Sequence, residues 1–141
     1  MRIAIRRMEP QDQPFIFSSW LKSYKKNSDF AKHIPDGPYY KNHHALIEHL
    51  LKKPSCIVLV AHAGDDLDRI LGYLVFEDTD SGHLIHYVFV KEAFQGSGIA
   101  KALIKYAGID PHLMGYSHLT YDIKTLREYG KVSLSYDPYR I

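Results

Sequence analysis

Cysteine is almost missing from this chain: Cys56 stands alone among 141 residues. A single cysteine cannot form an internal disulfide, and it excludes a cysteine-based zinc site. The expected address is a reducing cytoplasm, because Met1-Arg2-Ile3-Ala4-Ile5-Arg6-Arg7 shows no long apolar signal core. No apolar run approaches the roughly 20 residues needed to cross a bilayer, so no membrane partner is expected. Two nucleotide signatures are also missing. There is no Gly-Lys-Ser/Thr triplet, and counting from Gly96 the sixth place of Gly-x-Gly-x-x-Gly is Lys101. Nucleotide hydrolysis and hydride transfer lose ground accordingly. Internal repeats, low-complexity tracts and linkers are absent.

What is present fits one soluble domain over residues 1–141. Hydrophobic residues make up 45% and charged residues 24%, the balance of an ordinary globular protein with one sizeable core. The net charge of +2 hides an asymmetry: residues 1–53 carry ten Lys/Arg against five Asp/Glu, and residues 54–94 carry two against seven. A basic first half suits the phosphates of a nucleotide cofactor or of nucleic acid, or else simply solvates helix faces.

Residues 3–8 alternate enough to open as a strand. Glu9-Pro10-Gln11-Asp12 reads as a helix start, and Ile16, Trp20 and Tyr24, widened by Phe17 and Leu21, predict a helix over roughly 11–25. Residues 27–38, with Pro35, Gly37 and Pro38, read as a loop; Tyr40, His44, Ile47 and Leu51 then form a second helical stripe ended by Pro54. The period changes at Cys56. Runs 56–62 and 70–76 predict a hairpin around a turn over 64–68, and 83–90 a third strand after the turn 78–82. Ile99, Leu103 and Ala107 mark a helix stopped near Gly108-Ile109-Asp110-Pro111. A short strand over 118–121, helical turns over 123–129 and a last strand over 132–136 complete the order β-α-α-β-β-β-α-β-α-β. The expected fold class is α/β of the α+β kind: a mixed, mostly antiparallel central sheet with helices on both faces.

The chemistry concentrates in one stretch, where the strand ending Val88-Phe89-Val90 runs through Gln95-Gly96-Ser97-Gly98 into a helix opening Ile99-Ala100-Lys101. The first amides of a helix have no internal partner, and its dipole adds partial positive charge there. Gly96 and Gly98 let an anion approach the backbone, so the site suits a phosphate or diphosphate. The spacing Gln95, Gly98, Ala100 matches Gln/Arg-x-x-Gly-x-Gly/Ala, with Val90 five residues upstream. It resembles the coenzyme A signature of the Gcn5-related N-acetyltransferases (GNAT), and the likeness covers about residues 1–107.

That resemblance implies an acyl-CoA N-acyltransferase-like fold that transfers an acetyl or similar acyl group from acetyl-CoA to an amine in a ternary complex. It implies that backbone amides over Gln95, Gly96, Ser97, Gly98, Ile99, Ala100 and Lys101 hold the diphosphate. The open edge at Val88, Phe89 and Val90 would pair with the pantetheine arm as an added strand, and an amide near Val88 or Phe89 would polarise the thioester carbonyl. His86, mid-strand, is the candidate base, with Glu77 and Asp78 as alternatives. By strict alternation His86 and Tyr87 should face opposite sides.

The family's catalytic tyrosine would stand four residues before a Gly-Phe pair, but Leu126 occupies that place and Lys131 follows Gly130. Tyr129, and after it Tyr121, is the nearby substitute acid. No metal is expected, since His43, His44 and His49 lack carboxylate companions at ligand spacing. The acceptor is a small-molecule or peptide amine of unspecified class. Alternatives stay open: a non-catalytic acyl-CoA sensor or docking domain, or a nucleic-acid-directed member with Lys22, Lys25, Lys26 and Lys32 as its contact surface. The short C-terminal strand leaves room for a homodimer that completes the sheet.

Overall fold

The chain opens with strand β1 (Ile3–Arg7), and a 3-10 turn over Pro10–Asp12 leads into helix α1 (Gln13–Asn27). These belong to a computed structural model that describes residues 2–80, 82–109, 114–116 and 134–136. Pro10 and Pro14 both sit in first turns, where a missing N–H costs no helical bond. Arg6 fixes this corner: its guanidinium donates to both Asp12 carboxylate oxygens, at 2.6 and 3.0 Å, and to the Leu67 carbonyl at 2.9 Å.

Helix α2 spans Asp36–Lys52. It begins earlier than the prolines suggest, because Pro35 is its N-cap and Gly37 and Pro38 fall in its first turn. Within the expected loop, Ala31–His33 forms a further 3-10 turn. The buried stripe of α2 is also one residue out of the expected phase. Tyr39, Ile47 and Leu50 are buried, with His43 half-buried between them, while Tyr40 and His44 point outward. Aromatic stacking decides this phase: the His43 ring lies 4.8 Å from Tyr24 and 5.3 Å from Tyr39, and Tyr39 donates to the Leu21 carbonyl at 2.6 Å.

Strands β2 (Cys56–Ala63), β3 (Asp66–Thr79) and β4 (Gly82–Val90) follow as consecutive antiparallel partners, and helix α3 (Ile99–Ala107) comes after them. The first hairpin turn is tighter than expected, since β3 starts at Asp66 and leaves only Gly64 and Asp65 outside strands. Strands β5 (Met114–Tyr116) and β6 (Leu134–Tyr136) complete a six-stranded sheet in the order β1-β2-β3-β4-β5-β6, with β5 parallel to β4 and β6 parallel to β5. The expected strand over 118–121 and helix over 123–129 lie outside the described residues.

Alternation along β2, β3 and β4 divides the core between the two sheet faces. Leu59, Leu71, Leu74, Phe76, Ile85, Val88 and Val90 pack with Ile99, Leu103 and Ile104 of α3. On the other face Val58, Val60, Tyr73, Val75 and Tyr87 meet Ile16, Trp20, Tyr24, Ile47 and Leu50 of α1 and α2. The expected mixed sheet with helices on both faces is the observed one.

Gly72 holds β4 at its place. A Cβ there would lie 2.5 Å from the Phe89 carbonyl oxygen and 3.3 Å from Ile99 Cγ2. A Gly72→Ala variant is therefore expected to unfold at lower denaturant, with a loss of about 1–3 kcal/mol typical of overpacking. A midpoint equal to the wild type would show that β3 and β4 can part without cost.

Candidate functional site at the end of strand β4

Strand β4 has one residue too many for its partner. Val75 pairs with Tyr87 and Phe76 with Ile85, so His86 is the extra residue of a β-bulge. The bulge resets the alternation and corrects the expectation that His86 and Tyr87 face opposite sides. Tyr87 stacks on Trp20 at 4.8 Å and hydrogen-bonds Ser23 Oγ of α1 at 2.5 Å. His86 Nε2 meets Glu77 Oε2 at 2.5 Å, and Glu77 is tied to Lys53 and Ser55, which follow α2. Both side chains thus reach partners on the α1/α2 side.

Glu77 is buried rather than solvating a turn. Burial pushes its carboxyl up, but hydrogen bonds from Ser55, His86 and Lys53 outweigh this and bring it down to about 2. An ionised carboxylate only accepts, so Nε2 of His86 carries the proton in this pair. His86 has no exposed surface. Asp78, the other alternative base, is exposed and 3.6 Å from His83. Tyr129 and Tyr121 lie outside the described residues.

The outer edge of β4 changes character at the bulge. Strand β5 pairs only with His83, Leu84 and Ile85. From Val88 to Val90 that edge has no strand partner among the described residues. Beyond Val90 the chain makes a 3-10 turn over Glu92–Phe94, and Gln95 Nε2 donates back to the Val90 carbonyl at 3.2 Å. Gly96 and Gly98 have φ of 81° and 88°, a region that side chains rarely adopt. A Cβ at either would meet nothing within 4 Å, so the concave side of this loop is open.

The first helical bond of α3 runs from Ala102 N to Gly98 O, at 3.0 Å. The amides of Gly98, Ile99 and Ala100 precede it and have no acceptor among the described residues. Ile99 turns its side chain into the core, whereas Gln95, Gly96, Ser97, Gly98 and Lys101 are exposed. Ser97 uses its hydroxyl on the Phe94 carbonyl. Open amides at a helix N-terminus, in a cradle that side chains at Gly96 or Gly98 would fill, fit a diphosphate.

Beside this loop, on the α1 side, lies a cleft of about 390 Å³ lined by Ser19, Lys22, Ser23, Lys26, Asn27 and the turn after Phe89. Sequence reasoning took Lys22 and Lys26 only as part of a nucleic-acid contact surface and did not join them to the turn after β4. Ser19 and Ser23, and Lys22 and Lys26, each recur at four-residue spacing along one flank of the apolar stripe, which was the available signal. Among the described residues no helix is long and apolar enough to cross a membrane, and no group of three or more His, Cys, Asp or Glu is placed to hold a metal.

Known proteins share this fold. A protein from Pyrococcus furiosus named as an acetyl transferase superposes with a TM-score of 0.68 at 19% identity, over 92% of both chains. An acetyltransferase of the GNAT family from Staphylococcus aureus Mu50 gives 0.60 at 17% identity, over 92% of this chain and 81% of its own. The PaiA N-acetyltransferase from Thermoplasma acidophilum, in complex with coenzyme A, gives 0.55 at 17% identity, over 77% and 70%. At such identities these likenesses speak for the fold. No curated protein matches the chain. The model of the acetyltransferase (GNAT) domain matches residues 54–131, more than half of the sequence, and the chain belongs to that family.

Proposed function

We propose that this chain is an acetyl-CoA-dependent N-acyltransferase that moves an acetyl or similar acyl group onto an amine. The observation that carries the proposal is that, among the described residues, the β4 edge from Val88 to Val90 has no strand partner beyond β3 and the amides of Gly98, Ile99 and Ala100 have no acceptor. In this assignment the amides of Gly98, Ile99 and Ala100 bind the diphosphate, Gly96 and Gly98 giving the backbone room, while the expected amides of Gln95 and Ser97 already donate to the Glu92 and Phe94 carbonyls at 3.3 Å. Val88, Phe89 and Val90 offer main-chain groups to the amide-rich pantetheine arm. Acetyl-CoA supplies a thioester whose carbon is open to a neutral amine. The chain orients the two reactants and manages one proton, which leaves the amine nitrogen as the C–N bond forms and the C–S bond breaks.

His86 is the proposed proton acceptor, oriented by Glu77 through Nε2. Its burial requires a relay through water or a hydroxyl. That same burial favours a second reading for this side chain alone, a strut that fixes the bulge. A His86→Gln variant separates the two: loss of a base lowers kcat and alters the pH profile of the rate, whereas loss of a strut leaves that profile unchanged and lowers only stability. Tyr129 stands as the proposed acid.

Acetyl-CoA at about 100 times its Kd is expected to stabilise the fold by roughly 2.7 kcal/mol, read as a rise in Tm. Free thiol should then appear only when an amine is added. A rise in Tm without thiol release across amino acids, peptides and polyamines would make the chain an acyl-CoA sensor. No rise at millimolar acetyl-CoA would end the assignment.

A further inference from the structure

The cleft beside the cofactor loop carries an excess of one charge. Lys22 and Lys26 from α1 and Lys91 from the turn after β4 line it, against the single carboxylate of Glu92. None of the three lysines forms an ion pair among the described residues, although Lys25, Lys32, Lys52 and Lys53 all do. Lys22 and Lys26 are one helical turn apart, a like-charge spacing that works against the helix carrying it. Lys91 leans its ammonium over the Phe15 ring, 5.3 Å from the centroid. That contact holds the ammonium against the first turn of α1, the helix whose later turns carry the other two lysines.

The remaining lining is suited to a small polar molecule. Ser19 and Ser23 line it too, each hydroxyl donating to the carbonyl four residues back at 2.6 Å and bonded to Tyr73 Oη at 2.8 Å or Tyr87 Oη at 2.5 Å. Phe89 supplies an apolar floor. The cleft is on the α1 face of β4, while the helix that begins with the open amides packs on the opposite face. A molecule in this cleft therefore reaches the β4 edge from the side away from α3.

We infer that this cleft is the acceptor subsite and that it selects amines bearing a carboxylate or a phosphate, held by Lys22, Lys26 and Lys91. The inference rests on the acyltransfer reading and supplies its missing substrate class. Cationic polyamines are disfavoured there, because their second ammonium would meet three lysines.

Phosphoethanolamine and ethanolamine make a matched pair that differs only in the phosphate, and glutamate tests a carboxylate. The wild-type chain is expected to use phosphoethanolamine or glutamate with a kcat/KM at least about tenfold above ethanolamine. The double variant Lys22→Glu, Lys26→Glu should raise KM for the anionic amine by about tenfold or more, abolish its advantage over ethanolamine, and keep the acetyl-CoA thermal shift. Calorimetry of phosphoethanolamine with the CoA-saturated chain supplies a readout without turnover, and the same variant should weaken that binding by about tenfold.

A loss that falls on the acetyl-CoA shift instead would assign the lysines to the cofactor's own phosphates and overturn the inference. So would equal use of ethanolamine and phosphoethanolamine by an active wild-type chain. Lysine-dependent binding of phosphoethanolamine by a chain with no acetyl-CoA shift would overturn the acyltransfer reading and leave the anion subsite standing.

Discussion

A Gly98→Val variant is expected to bind acetyl-CoA at least 100-fold more weakly while remaining folded. The argument starts from φ of 88° at Gly98, which a β-branched residue adopts only under strain of about 1–3 kcal/mol. No atom lies within 4 Å of the added Cβ, so the substitution meets no obstacle in the core. The fold should lose a few degrees of Tm and no more. The ligand meets two changes at once. If the loop keeps its shape, an isopropyl group stands in the open space over the amides of Gly98, Ile99 and Ala100. If φ relaxes to negative values, those amides turn away. Losing two charge-assisted hydrogen bonds, at about 1.5–3 kcal/mol each, corresponds to 100-fold or more.

Gly108 provides the control for strain. It caps the other end of α3 with φ of 73°, and a Cβ there also meets nothing within 4 Å. A Gly108→Val variant should lose similar stability and keep the whole acetyl-CoA shift. Equal shifts in both variants would remove the diphosphate from this loop.

Much of this arrangement is legible in the sequence up to Ala107, because period and punctuation agree there. Ile16, Trp20 and Tyr24 mark α1 at four-residue spacing, and Ile99, Leu103 and Gly108 bound α3. The cofactor loop is legible for the same reason: glycines between a β run and a helical run have one local meaning. What sequence does not carry is register. The bulge at His86 follows from how Val75 and Phe76 align across the hairpin, and no local pattern records it. The Glu77–His86 contact depends on that alignment. The phase of α2 failed for a related reason. His43 and His44 are equally polar in a hydrophobic pattern, and the stack with Tyr24 and Tyr39 that chooses between them is tertiary. The basic cleft is tertiary too, joining α1 to a turn some 65 residues further along the chain.

The acid limb of the stability curve should be steep, for two groups whose protons are refused by the fold. His43 is pushed down from 6.5 to about 4 by burial among aromatic rings. The unfolded chain therefore binds a proton near pH 6.5 that the folded chain accepts only near pH 4. Stability from this group is fully present above pH 6.5 and drains away between 6.5 and 4, by up to about 3 kcal/mol. Glu77 continues the slope. Burial opposes its charge, but Ser55, His86 and Lys53 hold it at about 2 against 4.5 in the unfolded chain. Its contribution is intact above pH 4.5 and is lost between 4.5 and 2, again by up to about 3 kcal/mol. The two windows join, and together they rival the 5–15 kcal/mol of an ordinary domain, so unfolding is expected well above pH 2. A His43→Phe variant keeps a ring between Tyr24 and Tyr39 and should flatten the upper window only. Glu77→Gln should flatten the lower window but start from lower stability at pH 7, since it leaves Lys53 and His86 facing a neutral amide. Denaturation midpoints at pH 7, 5 and 3.5 separate the three proteins. A fall between pH 5 and 3.5 that is unchanged in Glu77→Gln would mean that the Glu77 carboxyl titrates in the folded chain as it does in water.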